Sequence, residues 1–345
     1  MGLKFKDLII KKELSTKDLK DKILAVDSMN LLYQFLTTIR SMDGSALTDS
    51  YGNVTSHLIG LFSRTTVLME KGLKLVFVFD GKAPDIKKKT WEQRAAVKKE
   101  ASLKLKEAEE AGNVEEMRKF ASRTVILTKE MIADAKAILS ALGLPIVQAP
   151  SEGEAQTAYM VKKGDCYASI SQDYDNLIFG CPLLVRNLSL EGKRKRAGKF
   201  AYQTVKPEMI LLRDVLQELQ LGIDELIVLA ILVGTDYNPG GIKGIGPKKG
   251  LKLVRENQNN FDAIFKEVEW DKHYPDLTWK EIFNTIKDIP TTDDYELEWK
   301  PIDADKMREL LVEKHGFSKE RVEKKIEILQ KEKNKLKQKS LGNFF

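Results

Sequence analysis

Short continuous apolar runs alternate with helical patterns along the first two-thirds of this 345-residue chain, and that alternation restricts the fold more than any other feature. Ile23-Leu24-Ala25-Val26 and Leu75-Val76-Phe77-Val78-Phe79 have the character of strands buried on both faces. Ile146-Val147 and Tyr167-Ala168-Ser169-Ile170 are weaker versions. Between them lie helical patterns over Met29 to Arg40, Ser56 to Glu70 and Thr128 to Leu142, the last opened by a Thr cap and closed at Gly143 with Pro145 beyond. The rhythm predicts an α/β fold, a mostly parallel central sheet flanked by helices. Two stretches interrupt it. Residues 82–125 form a long, polar, helix-prone insertion, and Leu183 to Val205 reads as an antiparallel excursion turning at Glu191-Gly192-Lys193-Arg194-Lys195-Arg196. From Pro207 onward helices are expected, and a Lys/Glu-rich helix after Phe317 leads into a short tail.

Composition narrows the class. A hydrophobic content of 42% against 31% charged residues excludes global disorder. Two cysteines, Cys166 and Cys181, cannot make a disulfide framework, and the longest apolar run, Leu226 to Val233, is too short to span a bilayer. The N-terminus becomes charged at once, unlike a signal peptide. A soluble intracellular protein is expected. The net charge of +6 is modest, but its distribution is uneven: nine cations between Lys82 and Lys106 face only Asp85, Glu92 and Glu100.

Acidic residues occupy the positions where chemistry is expected. Asp27 and Asp80 each directly follow an apolar strand, at the sheet edge where α/β proteins bind ligands. Asp173 and Asp175 follow the strand ending at Ser171, on one side of an extended segment. Glu152 and Glu154 open a helix, and Asp236 ends the apolar helix at Gly234-Thr235-Asp236-Tyr237. Singly, several have ordinary explanations: Asp27 would cap a helix, and Ser151 with Glu154 makes a capping box. Together, seven carboxylates at one edge would repel one another unless cations sat between them. Hard oxygen donors select Mg²⁺ or Mn²⁺, and a carboxylate-only cluster beside basic segments points to two-metal phosphodiester cleavage.

The same motifs carry a resemblance. Asp27-Ser-Met-Asn-Leu-Leu-Tyr33-Gln-Phe, Val78-Phe-Asp80-Gly, Ala149-Pro-Ser-Glu152-Gly-Glu154-Ala, Ser171-Gln-Asp173-Tyr-Asp175 and Val233-Gly-Thr-Asp236-Tyr resemble, in order and spacing, those of the flap endonucleases, structure-specific 5′ nucleases of DNA replication and repair. The resemblance covers essentially the whole chain and looks more archaeal than eukaryotic. It implies that Asp27, Asp80, Glu152, Glu154, Asp173, Asp175 and Asp236 hold two Mg²⁺ ions, with Mn²⁺ able to substitute, some directly and others through water. It also implies Mg²⁺-dependent endonucleolytic removal of 5′ flaps, with 5′–3′ exonuclease action at nicks, leaving a 5′-phosphate and a 3′-hydroxyl.

By the same resemblance the insertion is a helical arch that passes a single-stranded 5′ flap, and Lys87 and Arg94, two turns apart on one face, match cations that contact the scissile phosphate. The other reading of that run is a solvated charged helix. Residues 226–256 resemble a helix–turn–helix that grips duplex backbone. There Gly244 and Gly246 let main-chain N–H groups approach a phosphate, and Lys248 and Lys249 add charge. The family often coordinates K⁺ in this element through main-chain carbonyls, with Ile242 and Ile245 the best matches. Tyr33 falls where the family stacks an aromatic on a base, and Arg40 and Arg64 match backbone-contacting positions, with core packing and surface salt bridges as their ordinary readings.

Gln338, Leu341, Phe344 and Phe345 at the C-terminus resemble the sliding-clamp-binding peptide of replication enzymes, Leu341 and Phe344 being expected on a short 3₁₀ turn. A groove on the chain's own domain is the other home for these side chains. The expected organisation is a single nuclease domain over 1–330 and a clamp-binding tail over 331–345, monomeric, bound to no membrane, and cytoplasmic with the nucleoid if archaeal or nuclear if eukaryotic. Two rivals remain: a catalytically silent adaptor for DNA junctions and the clamp, and a single-strand RNase on a related core.

Overall fold

A computed structural model describes residues 3, 5–42, 44–195 and 202–342. A seven-stranded sheet carries the fold, in the order β1-β9-β6-β5-β2-β3-β4. Its strands are β1 Lys12–Glu13, β2 Ile23–Asp27, β3 Lys74–Phe79, β4 Ile146–Gln148, β5 Ala168–Ile170, β6 Leu183–Arg186 and β9 Glu208–Leu211. The five from β2 to β6 run parallel, while β9 pairs antiparallel with β6 and β1 with β9. The central strands are apolar along their length because both faces are covered: Leu24, Ala25, Leu75, Val76, Phe77, Val78 and Phe79 are buried.

Helices α1 Ser28–Thr38, α2 Ser56–Glu70, α5 Lys129–Ala141, α6 Gly153–Lys163 and α7 Asp175–Ile178 connect the parallel strands. Local chemistry sets their ends. The Asp27 carboxylate accepts from Asn30 N–H and caps α1, Thr128 Oγ1 accepts from Met131 N–H and caps α5, and Gly164 ends α6 with a φ of 88°. The insertion after β3 is helical, as expected, with α3 Lys88–Glu110 and α4 Val114–Ala121 packed on each other. Beyond β9 come α8 Leu212–Leu219, α9 Ile223–Val233 and α10 Pro247–Asn257. Every residue of α9 from Leu226 to Val233 is buried, which accounts for the longest apolar run without a membrane. Among the described residues no helix is long and apolar enough to cross one.

The structure departs from the sequence reading in three places. Glu208–Leu211 is strand β9, not helix, and it closes the sheet against β6. Its apolar residues run straight into Leu212 of α8, so composition marks no boundary. The basic run at 192–195 is strand β7 Gly192–Lys195, paired with β8 Tyr202–Val205 in a separate two-stranded ribbon. The turn expected at 191–196 is therefore strand over 192–195, residues 196–201 lie outside the described ones, and β6 pairs with the main sheet and not with this ribbon. Finally, helix Lys319–Gly342 is continuous α-helix through Gln338 and Leu341, where a 3₁₀ turn was expected. The Lys/Glu-rich sequence holds no helix breaker before Gly342. Phe344 and Phe345 lie outside the described residues.

Candidate metal centre

Strand ends deliver the acids to one place. Asp27 is the last residue of β2, Asp80 follows β3, and Glu152 and Glu154 sit at the start of α6 beyond β4. Asp173 lies between β5 and α7, Asp175 opens α7, and Asp236 follows α9. Register makes this convergence unavoidable: Val26 pairs with Phe77 on one side and Ile170 on the other, so all three loops leave the same sheet edge.

The acids are buried and mutually repelling. Burial pushes the Asp27 carboxyl up to about 8, with the Asp80 and Asp173 charges adding to it. Burial likewise raises Asp175 to about 7, helped by Asp236 and Asp173, and Asp80 to about 6, helped by Glu152 and Asp236. Glu154 is held well above the usual carboxylate range by burial and by Asp175, Asp27 and Asp173. These pairings link all seven acids.

Few donors offset that charge. Gly153 N–H donates to Asp80 Oδ1 at 2.8 Å and Leu3 N–H to Asp175 Oδ1 at 2.7 Å. A Cβ at Gly153 would stand 2.6 Å from Asp80 Oδ1 and would displace that carboxylate. Lys87, only 8% exposed, reaches in from the foot of the insertion, its Nζ 2.7 Å from Glu152 Oε2 and 3.5 Å from Asp236 Oδ2. Burial alone would lower the Lys87 pKa, but Glu152 and Asp236 hold it above the ordinary value. Thr90 Oγ1 donates to the Asp236 carbonyl at 2.5 Å, a second tie between α3 and the acids.

The donor set fits divalent cations of the hard class. It is all oxygen, it is short of positive charge, and Glu152 Oε1 is buried without a hydrogen-bond partner. Among the described residues no three acidic, histidine or cysteine side chains already close around one ion position. The Lys87 ammonium stands among these carboxylates.

The other expected site residues fall around this centre. Tyr33 on α1 is 38% exposed, and Lys98 Nζ of α3 lies 5.8 Å from its ring centroid. Arg94 lies on α3 two turns beyond Lys87, and its side chain is outside the described ones. Arg40 is committed locally: Nε donates to the Leu36 carbonyl at 3.1 Å and Nη1 to that of Gly44 at 2.8 Å, and burial lowers its pKa. Arg64 is partly exposed on α2.

Between α9 and α10, Gly234 and Gly241 meet back to back. A Cβ on Gly241, at a φ of 58°, would stand 2.3 Å from the Val233 carbonyl carbon. Asn238 ties that loop to α9, donating from Nδ2 to the Ile231 carbonyl at 2.7 Å, and the Tyr274 hydroxyl donates to the Gly241 carbonyl at 3.0 Å. Gly244 and Gly246 are exposed, with no atom within 4 Å of where a Cβ would stand. Gly246 caps α10, Pro247 opens it, and Lys248 and Lys249 are exposed in its first turn. The Ile242 carbonyl already accepts from Ile245 N–H at 3.0 Å. Gln338 and Leu341 lie on the C-terminal helix, their side chains outside the described ones.

Sequence reasoning missed the residues that hold the acids in place. Asn30 donates from Nδ2 to Asp173 Oδ2 at 2.7 Å, Ser171 Oγ to Asp27 Oδ2 at 3.3 Å, and Gln148 Nε2 to the Asp80 carbonyl at 2.7 Å. The only available signal was nearness to a carboxylate motif: Asn30 and Ser171 both sit inside one.

A parallel sheet with acids at its carboxyl edge, a basic helical insertion and a glycine-rich helix connection defines a metal-dependent nuclease of nucleic acids. Comparison with known proteins agrees. The XPG N-terminal domain matches residues 3–101 and the XPG I-region residues 143–236. Flap endonuclease 1 of Pyrococcus abyssi is 50% identical over 345 residues, covering 100% of this chain and 98% of that protein. The flap endonuclease-1 structure from Methanococcus jannaschii superposes with a TM-score of 0.74 at 42% identity, covering 95% of this chain and 98% of that one. The Rad2 catalytic core in complex with DNA substrate superposes with a TM-score of 0.66 at 25% identity, over 95% and 99% of the two chains. The chain belongs to the flap endonuclease family and is a structure-specific nuclease that uses divalent metal.

Proposed function

We propose that this protein removes 5′ flaps from DNA junctions by two-metal hydrolysis, with a lesser 5′–3′ exonuclease action at nicks, and that Asp27, Asp80, Glu152, Glu154, Asp173, Asp175 and Asp236 hold two Mg²⁺ ions. One observation carries the reading: burial and mutual repulsion hold Asp27, Asp80, Glu154 and Asp175 above the ordinary carboxylate range beside the Lys87 ammonium. Such a pocket gains by taking in dications. When bound, two divalent ions supply Lewis acidity toward water and phosphate.

The chain's own residues do the rest. Lys87 reaches the acids from the N-cap of α3, where its ammonium would meet an entering phosphate and the charge that develops during cleavage, and Arg94 on α3 would add a second cation. Tyr33 offers a ring face for the base beside the cut. Gly244, Gly246, Lys248 and Lys249 take duplex backbone at the start of α10, fixing position without reading sequence. Arg40 acts through its hold on Gly44, and Arg64 touches backbone directly. The main-chain carbonyls of Ile242 and Ile245 would hold K⁺ there, Mn²⁺ would replace Mg²⁺, and Gln338, Leu341, Phe344 and Phe345 would dock on a sliding clamp. The protein works as a monomer beside DNA, in the cytoplasm of an archaeal cell.

A labelled double-flap DNA tests the reading against that of a silent adaptor. Cleavage should need Mg²⁺ and map to one position at the junction, and Asp175→Ala should bind the junction without cutting. Junction binding with no cleavage by the wild type at any Mg²⁺ concentration would leave only the adaptor.

A further inference from the structure

Asn30 is placed where neither capping nor packing requires an asparagine. It lies in the first turn of α1, where asparagine is a poor helix former, and it is half-buried. Helical side chains lean toward the N-terminus of their helix, which here is the sheet edge. Its amide consequently reaches across from the β2 loop to the β5 loop, to strands that are neighbours in register. Nδ2 donates to Asp173 Oδ2 at 2.7 Å, Oδ1 accepts from Gln172 N–H at 3.2 Å, and the main-chain N–H donates to Asp27 Oδ1 at 3.0 Å. Ser171 completes the ring: its hydroxyl donates to Asp27 Oδ2 at 3.3 Å and accepts from Asp173 N–H at 3.2 Å.

We propose that Asn30 is a positioning residue that locks Asp27 and Asp173 into one metal-facing pair; this rests on the assignment of those acids as metal ligands. The planar amide fixes two things together. One end holds the chain at Gln172, and the other holds the carboxylate of the next residue, so backbone and side chain of Asp173 cannot turn independently. Alanine would release both, while the cap on α1 would persist because Asp27 accepts from a main-chain N–H. The cost should fall on metal affinity and not on folding, since partners that orient ligands contribute roughly 10–100-fold to metal binding.

The test titrates Mn²⁺ alone into the full chain by calorimetry, without DNA, and follows thermal unfolding in chelator. Asn30→Ala is expected to bind Mn²⁺ about 10-fold more weakly than wild type. It should need correspondingly more Mg²⁺ for half-maximal cleavage and recover most of kcat at saturating metal. Equal Mn²⁺ affinities would overturn the proposal, whatever the change in Tm. If the alanine variant does not unfold cooperatively, Asn30→Leu, with the same side-chain branching and better helix propensity, gives the same two readings. Wild-type Mn²⁺ binding that survives Asp27→Asn with Asp175→Asn would overturn the ligand assignment itself, a distinguishable result.

Discussion

Two clusters of charge are buried in this molecule, and they are built on opposite terms. At the sheet edge, seven acids share Lys87 and a handful of N–H donors, and four of them are pushed above their ordinary range. Elsewhere, His315 sits between Asp49 and Asp134, 3.5 Å and 3.3 Å away, beside Lys314 and the buried ring of His57. Burial would raise Asp49, but the Asn53 side chain and main chain, Tyr51 N–H and His315 outweigh it and hold the carboxyl down. In the second cluster the acids are answered, Asp49 by the 49–53 turn and Asp134 by Lys314 and His315, although both ring nitrogens of His57 and of His315 are buried without a hydrogen bond; Lys314 and His315 bring the 49–53 turn and α5 to the segment before the C-terminal helix. In the first, burial and mutual repulsion outweigh the donors for Asp27, Asp80, Glu154 and Asp175, and that excess of negative charge is what a dication would offset. A buried acid therefore signals function when its neighbours fail to satisfy it.

The contrast can be broken by substitution. Asp175→Ala should lower flap cleavage about a thousand-fold, the scale expected when an electrostatic stabiliser of the transition state is lost, with junction binding retained. Near-normal cleavage would remove Asp175 from the site.

The histidine cluster should respond to pH and not to metal. Burial lowers His57 to about 4, with His315 adding and Asp134 opposing. A base depressed on folding contributes stability that is complete above its unfolded value near 6.5 and lost as pH falls toward 4. Wild type should therefore lose about 3 kcal/mol more than His57→Phe across that window. Parallel unfolding curves for the two proteins would contradict this.

The acid pocket should behave in the opposite sense. Asp27 is raised on folding, so its contribution is complete below an ordinary carboxylate value and is lost as pH rises through about 8. In chelator at pH 8.5, Asp27→Asn, which keeps the helix cap, should raise stability by roughly 1–2 kcal/mol while abolishing metal response. Destabilisation would mean the pocket is not strained. The smallest effect is expected at Thr90→Val, which removes the hydrogen bond from α3 to the Asp236 carbonyl. About 1 kcal/mol, read as a roughly fivefold slower cut, is the expected loss.

The sequence made the pocket visible because each acid stands at a boundary that pattern reading detects, after an apolar strand, at the opening of a helix or, for Asp236, beyond the end of one. Asp27 and Asp80 needed no structure to be placed. Asn30, Thr90 and Gln148 did, since each acts on a residue that only the folded sheet brings near. The histidine cluster was illegible for the same reason: His57 and His315 belong to distant segments, and neither lies in a motif. Strand β9 was hidden because four apolar-rich residues flow into a helix with no turn signal between them.

The acid pocket is expected to hydrolyse phosphodiesters only when two dications occupy it. Single-turnover cleavage of pre-bound double-flap DNA, measured against free Mg²⁺, tests it most directly. The rate should vanish in chelator and rise with more than the first power of Mg²⁺ before saturating, the cut remaining at one phosphate. Cleavage that persists in chelator, or an Asp27→Asn, Asp175→Asn double variant that cuts at the wild-type rate, would contradict it.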